Sequence, residues 1–87
     1  MVTSRDIAGY VKSKKIVIGS REVVKNVKKG NLIKIIKATN CPEETNKDLE
    51  RYAKMSSFEI EEFEGDSKKL GEMCGKPFNV LLLGVKK

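Results

Sequence analysis

The sequence predicts an α/β domain in which a central sheet is sandwiched between helices. Two observations carry that expectation. Apolar stripes at helical spacing alternate along the chain with short runs rich in β-branched residues, four of each. The first three runs are closed by turn chemistry, at Gly19, at Thr39-Asn40-Cys41-Pro42 and at Gly65. A chain of 87 residues has surface enough for one core and not for two, and no repeat or linker divides it.

Each element has its own signal. Thr3 followed by Asp6 has the form of a capping box, and Ile7, Ala8 and Val11 follow at helical spacing, so a first helix is expected from Ser4 to Lys12. Ile16, Val17 and Ile18 are too brief and too β-branched for a helix and read as a buried strand. Ser20 is positioned to cap a second helix, on which Val23, Val24 and Val27 place an apolar stripe at i, i+1, i+4, with Gly30 as its left-handed stop. Leu32 to Ala38 reads as the second strand, which Pro42 prevents from continuing. A third helix is expected to begin between Pro42 and Thr45, with Thr45 and Asp48 as a second capping box, and to bury Leu49, Tyr52 and Ala53. Phe58, Ile60 and Phe63 mark an imperfectly alternating third strand. Asp66 or Ser67 caps a fourth helix with Leu70, Met73 and Cys74 inward, ended by Gly75 and Pro77. Phe78 to Val85 is then the last and most apolar strand.

Charge is segregated along this series. Residues 12 to 37 carry nine basic side chains against one acid, whereas residues 43 to 66 carry nine acids against three bases. Such polarity lets one surface attract a polyanion while another repels it. The chain has no histidine, which excludes His-based acid–base chemistry, Ser-His or Cys-His nucleophiles and His-containing zinc sites. Cys41 and Cys74 lack metal-ligand spacing and are expected to be packing residues. The clustered acids read as a solvated or partner-facing surface rather than a metal site. No cofactor or metal is expected, and the reading is of a binding protein rather than an enzyme. The N-terminal stretch lacks a signal-peptide core, and the run Val80 to Val85 is far shorter than a membrane span, so a cytoplasmic protein without membrane partners is expected.

Two segments have the form of a binding loop. In Gly19-Ser20-Arg21-Glu22-Val23-Val24-Lys25, a glycine permits close approach of another backbone, the helix N-terminus offers free N–H groups to phosphate, and Lys25 follows Arg21 by one turn. Gly75-Lys76-Pro77-Phe78 forms a rigid turn presenting one cation and one ring, which suits an unstacked RNA base, although Phe78 could equally open the last strand as a core residue. The preceding Gly71-Glu72-Met73-Cys74-Gly75-Lys76 is no nucleotide-binding P-loop, since it has three residues between its glycines and Pro77 after the lysine.

Asn40-Cys41-Pro42, Leu49-Glu50-Arg51-Tyr52-Ala53, Phe63-Glu64-Gly65 and Leu70 to Val80 together resemble the L-thirty-e ribosomal proteins of the kink-turn-binding L-seven-Ae superfamily, over Ile16 to Val85. The resemblance implies a three-layer α/β/α sandwich with a mixed four-stranded sheet, and recognition of a kink-turn or similar asymmetric internal loop in ribosomal RNA. It also implies three RNA-facing loops: Gly19, Ser20, Arg21, Glu22, Lys25 and Lys28 in the first, Asn40 in the second, Gly75, Lys76, Pro77 and Phe78 in the third. Arg21-Glu22 stands where the L-seven-Ae proteins carry an Asn-Glu pair. A large-subunit ribosomal protein, monomeric when free and neighboured by other ribonucleoprotein subunits, is the expectation. The alternative is a protein-interaction adaptor or a non-ribosomal ribonucleoprotein paralogue of the same fold.

Overall fold

A computed structural model describes residues 2–55 and 58–86. The elements follow in the order α1 (Ser4–Ser13), β1 (Ile16–Ile18), α2 (Ser20–Lys28), β2 (Leu32–Lys37), α3 (Glu43–Met55), β3 (Glu59–Glu62), α4 (Ser67–Met73) and β4 (Leu82–Lys86). The sheet order is β1-β4-β2-β3, with β4 antiparallel to both neighbours and β2 parallel to β3, so the sheet is mixed.

Both faces of this sheet are covered, which explains the near-continuous apolar character of β2 and β4. On one face Ile36, Leu83 and Val85 pack with Ile7 of α1, with Leu70 of α4 and with Cys74 at its C-cap. On the other, Val17, Leu32, Ile35 and Leu82 pack with Val23 and Val27 of α2 and Leu49 of α3. Successive residues of a strand point to opposite faces, so Ile35 and Ile36, or Leu82 and Leu83, serve the two layers in turn. Each such fully buried aliphatic contributes roughly 1.5 to 3 kcal/mol through removal from water. A register shift between Leu32 and Lys34 turns Ile33 out of this alternation, and its side chain is exposed.

The local signals act as their chemistry dictates at several ends. Thr3 and Asp6 form a reciprocal capping box, and the Asp6 carboxyl is held below its ordinary range, first by the Thr3 backbone N–H and then by its hydroxyl. Gly30 and Gly75 take positive φ, at 69° and 72°, where an L side chain would be strained. Asp66 caps α4 by accepting from the Lys69 N–H. Lys34 of β2 reaches Glu61 of β3 at 3.1 Å and the Tyr10 hydroxyl at 3.4 Å, and the Glu61 carboxylate is the main cause that raises its pKa.

Four expectations are corrected. Ser20 does not cap α2: Gly19 occupies that position at φ 97° without a side-chain bond, and its carbonyl accepts from the Val23 N–H, which leaves Ser20 as the first helical residue. Thr45 and Asp48 form no capping box, because the Asn46 N–H already bonds the Pro42 carbonyl at 3.1 Å and α3 starts two residues before Thr45. On α3 only Leu49 is buried, while Tyr52 and Ala53 stay half-buried at the margin of the core. The last strand starts at Leu82 instead of Phe78. Residues 78–81 are held by backbone bonds to other segments, from Val80 N–H to the Ser67 carbonyl and from Ala38 N–H to the Leu81 carbonyl, so the apolar Val80 is buried without being in the ladder.

Candidate nucleic-acid interface

Strand direction decides which loops meet. β1, β2 and β3 run parallel and β4 runs against them, so the exits of β1 and β2 and the approach to β4 share one end of the sheet. The strand order then puts the approach to β4 between the other two. Backbone bonds fix it on both sides, from Gly19 N–H to the Leu82 carbonyl at 3.1 Å and from Ala38 N–H to the Leu81 carbonyl at 2.9 Å. The turns that follow β1 and β2, at Gly19 and Asn40, therefore flank the approach to β4 at residues 81–82.

Along the outer face of α2 lies a shallow depression of about 610 Å³ lined by Ser20, Arg21, Val24, Lys25, Lys28 and Lys29. Helical spacing aligns Arg21, Lys25 and Lys28, with Lys29 beside them at the C-cap. Among the described residues none of these four cations has an ion-pair partner, so the face carries a net positive field. Glu22 is exposed at the head of the same helix. Val24, half-buried, gives the depression an apolar patch between the charges.

A second depression, of about 260 Å³, lies against α4 and is lined by Lys68, Glu72, Lys76, Pro77, Phe78 and Asn79. Phe78 is 55% exposed, which overturns the core alternative for this ring. Its position is nonetheless defined, because Gly71 of α4 packs directly on the Phe78 carbonyl and the Lys76 N–H bonds the Gly71 carbonyl at 3.0 Å. Phe78→Leu should consequently leave the melting temperature within about 3 °C of the parent, since exposed substitutions change stability by less than about 0.5 kcal/mol. A drop beyond that in a thermal scan would return the ring to the core.

Asn40 is placed differently from the other two loops. It is exposed, but its side-chain amide is turned onto α4, accepting from the Ser67 N–H at 2.9 Å and donating to the Ser67 hydroxyl at 3.0 Å. Sequence reasoning missed Ser67, Lys68, Glu72, Asn79, Val24 and Lys29 as neighbours of the site. The spacing of Lys68, Glu72 and Lys76 at i, i+4, i+8 was available as a signal. The burial of Ser67 had none.

Burial pushes the thiols of Cys74 and Cys41 up, away from the thiolate form, and both are free. Among the described residues no group of three or more Cys, Asp or Glu is arranged to hold a metal ion, and no helix is long and apolar enough to cross a membrane.

A mixed four-stranded sheet with helices packed on both faces defines a small three-layer α/β/α domain. Residues 3–87 match the Ribosomal protein L7Ae/L30e/S12e/Gadd45 family, and the chain belongs to it. It is 39% identical over 83 residues to the large ribosomal subunit protein eL30 of Methanosphaera stadtmanae, covering 95% of this chain and 85% of that protein. The eL30 of Methanothermobacter thermautotrophicus is 36% identical over 80 residues, covering 92% and 82% respectively. Among solved structures, a Giardia lamblia 15.5kD RNA binding protein superposes with a TM-score of 0.79 at 20% identity, over 93% of this chain and 68% of that one, a likeness of fold.

Proposed function

We propose that this protein is an eL30-type structural component of the large ribosomal subunit that binds ribosomal RNA at a kink-turn or similar asymmetric internal loop. What supports the reading is the basic face of α2, where Arg21, Lys25, Lys28 and Lys29 line one depression, together with an exposed Phe78 beside Lys76 in a second. Its relatives are named as large-subunit proteins, and RNA helices are read mainly by shape, phosphate contacts and splayed bases, which these loops can supply. The cations on α2 neutralise phosphates. Gly19 lets a backbone approach the head of the helix, Glu22 accepts from base amino groups, and Phe78 takes an unstacked base on its open face. Gly75 and Pro77 hold that ring in place. Binding, not catalysis, is the activity, with RNA and neighbouring subunits as partners of a chain that is monomeric when free.

A gel-shift series against a kink-turn RNA and its straightened, fully Watson–Crick-paired counterpart tests the reading. Strong preference for the kinked form is expected, with a log–log salt slope of about −3 to −5 from roughly 4 to 6 neutralised phosphates. Equal binding to both forms, or a flat salt response, would favour the protein-interaction alternative. In the same assay Phe78→Leu should weaken binding by about 1 to 3 kcal/mol, the worth of one aromatic stack.

A further inference from the structure

Ser67 is the one buried polar residue of the core among the described residues, at 4% exposure, and its hydrogen-bonding groups serve two loops at once. Its N–H donates to the Asn40 side-chain oxygen at 2.9 Å, and its hydroxyl accepts from the Asn40 amide nitrogen at 3.0 Å. Its carbonyl accepts from the Val80 N–H at 3.0 Å. One side of Ser67 thus holds the exit of β2, and the other holds the segment that carries Phe78. A parallel bond from Thr39 N–H to the Gly65 carbonyl at 3.0 Å keeps the same two stretches in register just before it. The Asn40 amide spends one donor and its acceptor oxygen on this tie, so its orientation is dictated from within the protein. A side chain buried to this degree cannot touch RNA, yet its hydroxyl bonds the Asn40 amide that faces the start of α4.

We infer that Ser67 is a positioning residue for RNA recognition, coupling the Asn40 loop to the Phe78 loop so that both meet RNA in one preset arrangement. The inference rests on the functional reading given above and adds a residue that lies outside the contact surface. Preorganisation of this kind raises affinity by removing the ordering that binding would otherwise require. The tie also explains why an exposed asparagine lies turned inward: its amide completes the otherwise unsatisfied groups at the start of α4.

The test compares the parent with Ser67→Ala, Asn40→Ala and the double variant, each bound to the kink-turn RNA and to its straightened counterpart well below its melting midpoint. Amide exchange at Val80 is followed in parallel. Each single variant should lose about tenfold in affinity for the kinked RNA, the factor that roughly one hydrogen bond of preorganisation represents. The double variant should lose no more than Asn40→Ala alone, which already removes both side-chain bonds, and slow exchange at Val80, whose bond to the Ser67 backbone carbonyl persists, shows that each variant is folded. Preference for kinked over straightened RNA should shrink, which a loss of stability alone would not produce. Asn40→Ala breaks the same tie from the exposed side, so the test survives poor folding of Ser67→Ala. Unchanged affinity of the folded Ser67→Ala protein would overturn the assignment, as would additive losses or a loss confined to Asn40→Ala. A parent that does not distinguish the two RNAs would overturn the functional reading itself, and this inference with it.

Discussion

Gly71→Ala is expected to lower the melting temperature by roughly 8 to 20 °C, the effect of about 2 to 3 kcal/mol in a domain of this size. Alanine is the better helix former, and at an open helical site the exchange would stabilise by up to about 1 kcal/mol. Position 71 is not open. A methyl group there would overlap the carbonyl oxygen of Phe78 and come within 3.4 Å of the Asn79 Cα, both backbone atoms that cannot step aside as a flexible side chain would. Either α4 withdraws from the core that Leu70 and Cys74 fill, or residues 78 and 79 move outward. The second route carries Phe78 away from its depression, so RNA affinity should fall along with stability. Calorimetry checks the first effect, and titration of the folded variant with kink-turn RNA checks the second. A stabilised Gly71→Ala protein would show that helix and turn do not meet as described.

Reversing Arg21, Lys25, Lys28 and Lys29 together to glutamate should nearly abolish RNA binding while sparing the fold. Each cation that neutralises a phosphate is worth at least about 1 kcal/mol, so four losses amount to roughly a thousandfold or more, and the salt slope should move toward zero by about 4. Repulsion from the new carboxylates deepens the loss. Stability should change little, because all four side chains are exposed. The helix dipole favours an acid near Arg21 and disfavours one at Lys28 and Lys29, and these effects oppose each other. Circular dichroism on the same sample separates the outcomes: a folded variant that still shifts the RNA would place the binding face elsewhere.

What was legible in the sequence follows from the range of the interactions involved. The Thr3 and Asp6 capping box, the β-branched Ile16 to Ile18 run and the left-handed glycines Gly30 and Gly75 are decided within a few residues, and each stands where local chemistry puts it. Thr45 and Asp48 have the pattern of a valid cap in isolation, but they stand inside α3. The turn is closed two residues earlier by a bond to the Pro42 carbonyl. Phe78 was ambiguous for a deeper reason. Phe78-Asn79-Val80-Leu81 reads as well for a strand as for a buried turn, and what decides is a bond from Val80 to Ser67 and one from Ala38 to Leu81. The side of α2 that bears the cations could be read from periodicity, whereas the pairing of Asn40 with Ser67, 27 positions apart, has no local signature.

The strand order has a consequence for how the protein comes into being on the ribosome that makes it. β1 pairs only with β4, the last strand in sequence, and β4 is also the strand that joins β1 to β2. Until β4 emerges, a three-residue strand has no neighbour, and α2 lacks one of the strands it packs against. Closing so long a loop is slow compared with forming the helices. On the proposed reading, a chain lacking β4 should bind RNA through its charge without preferring the kinked form.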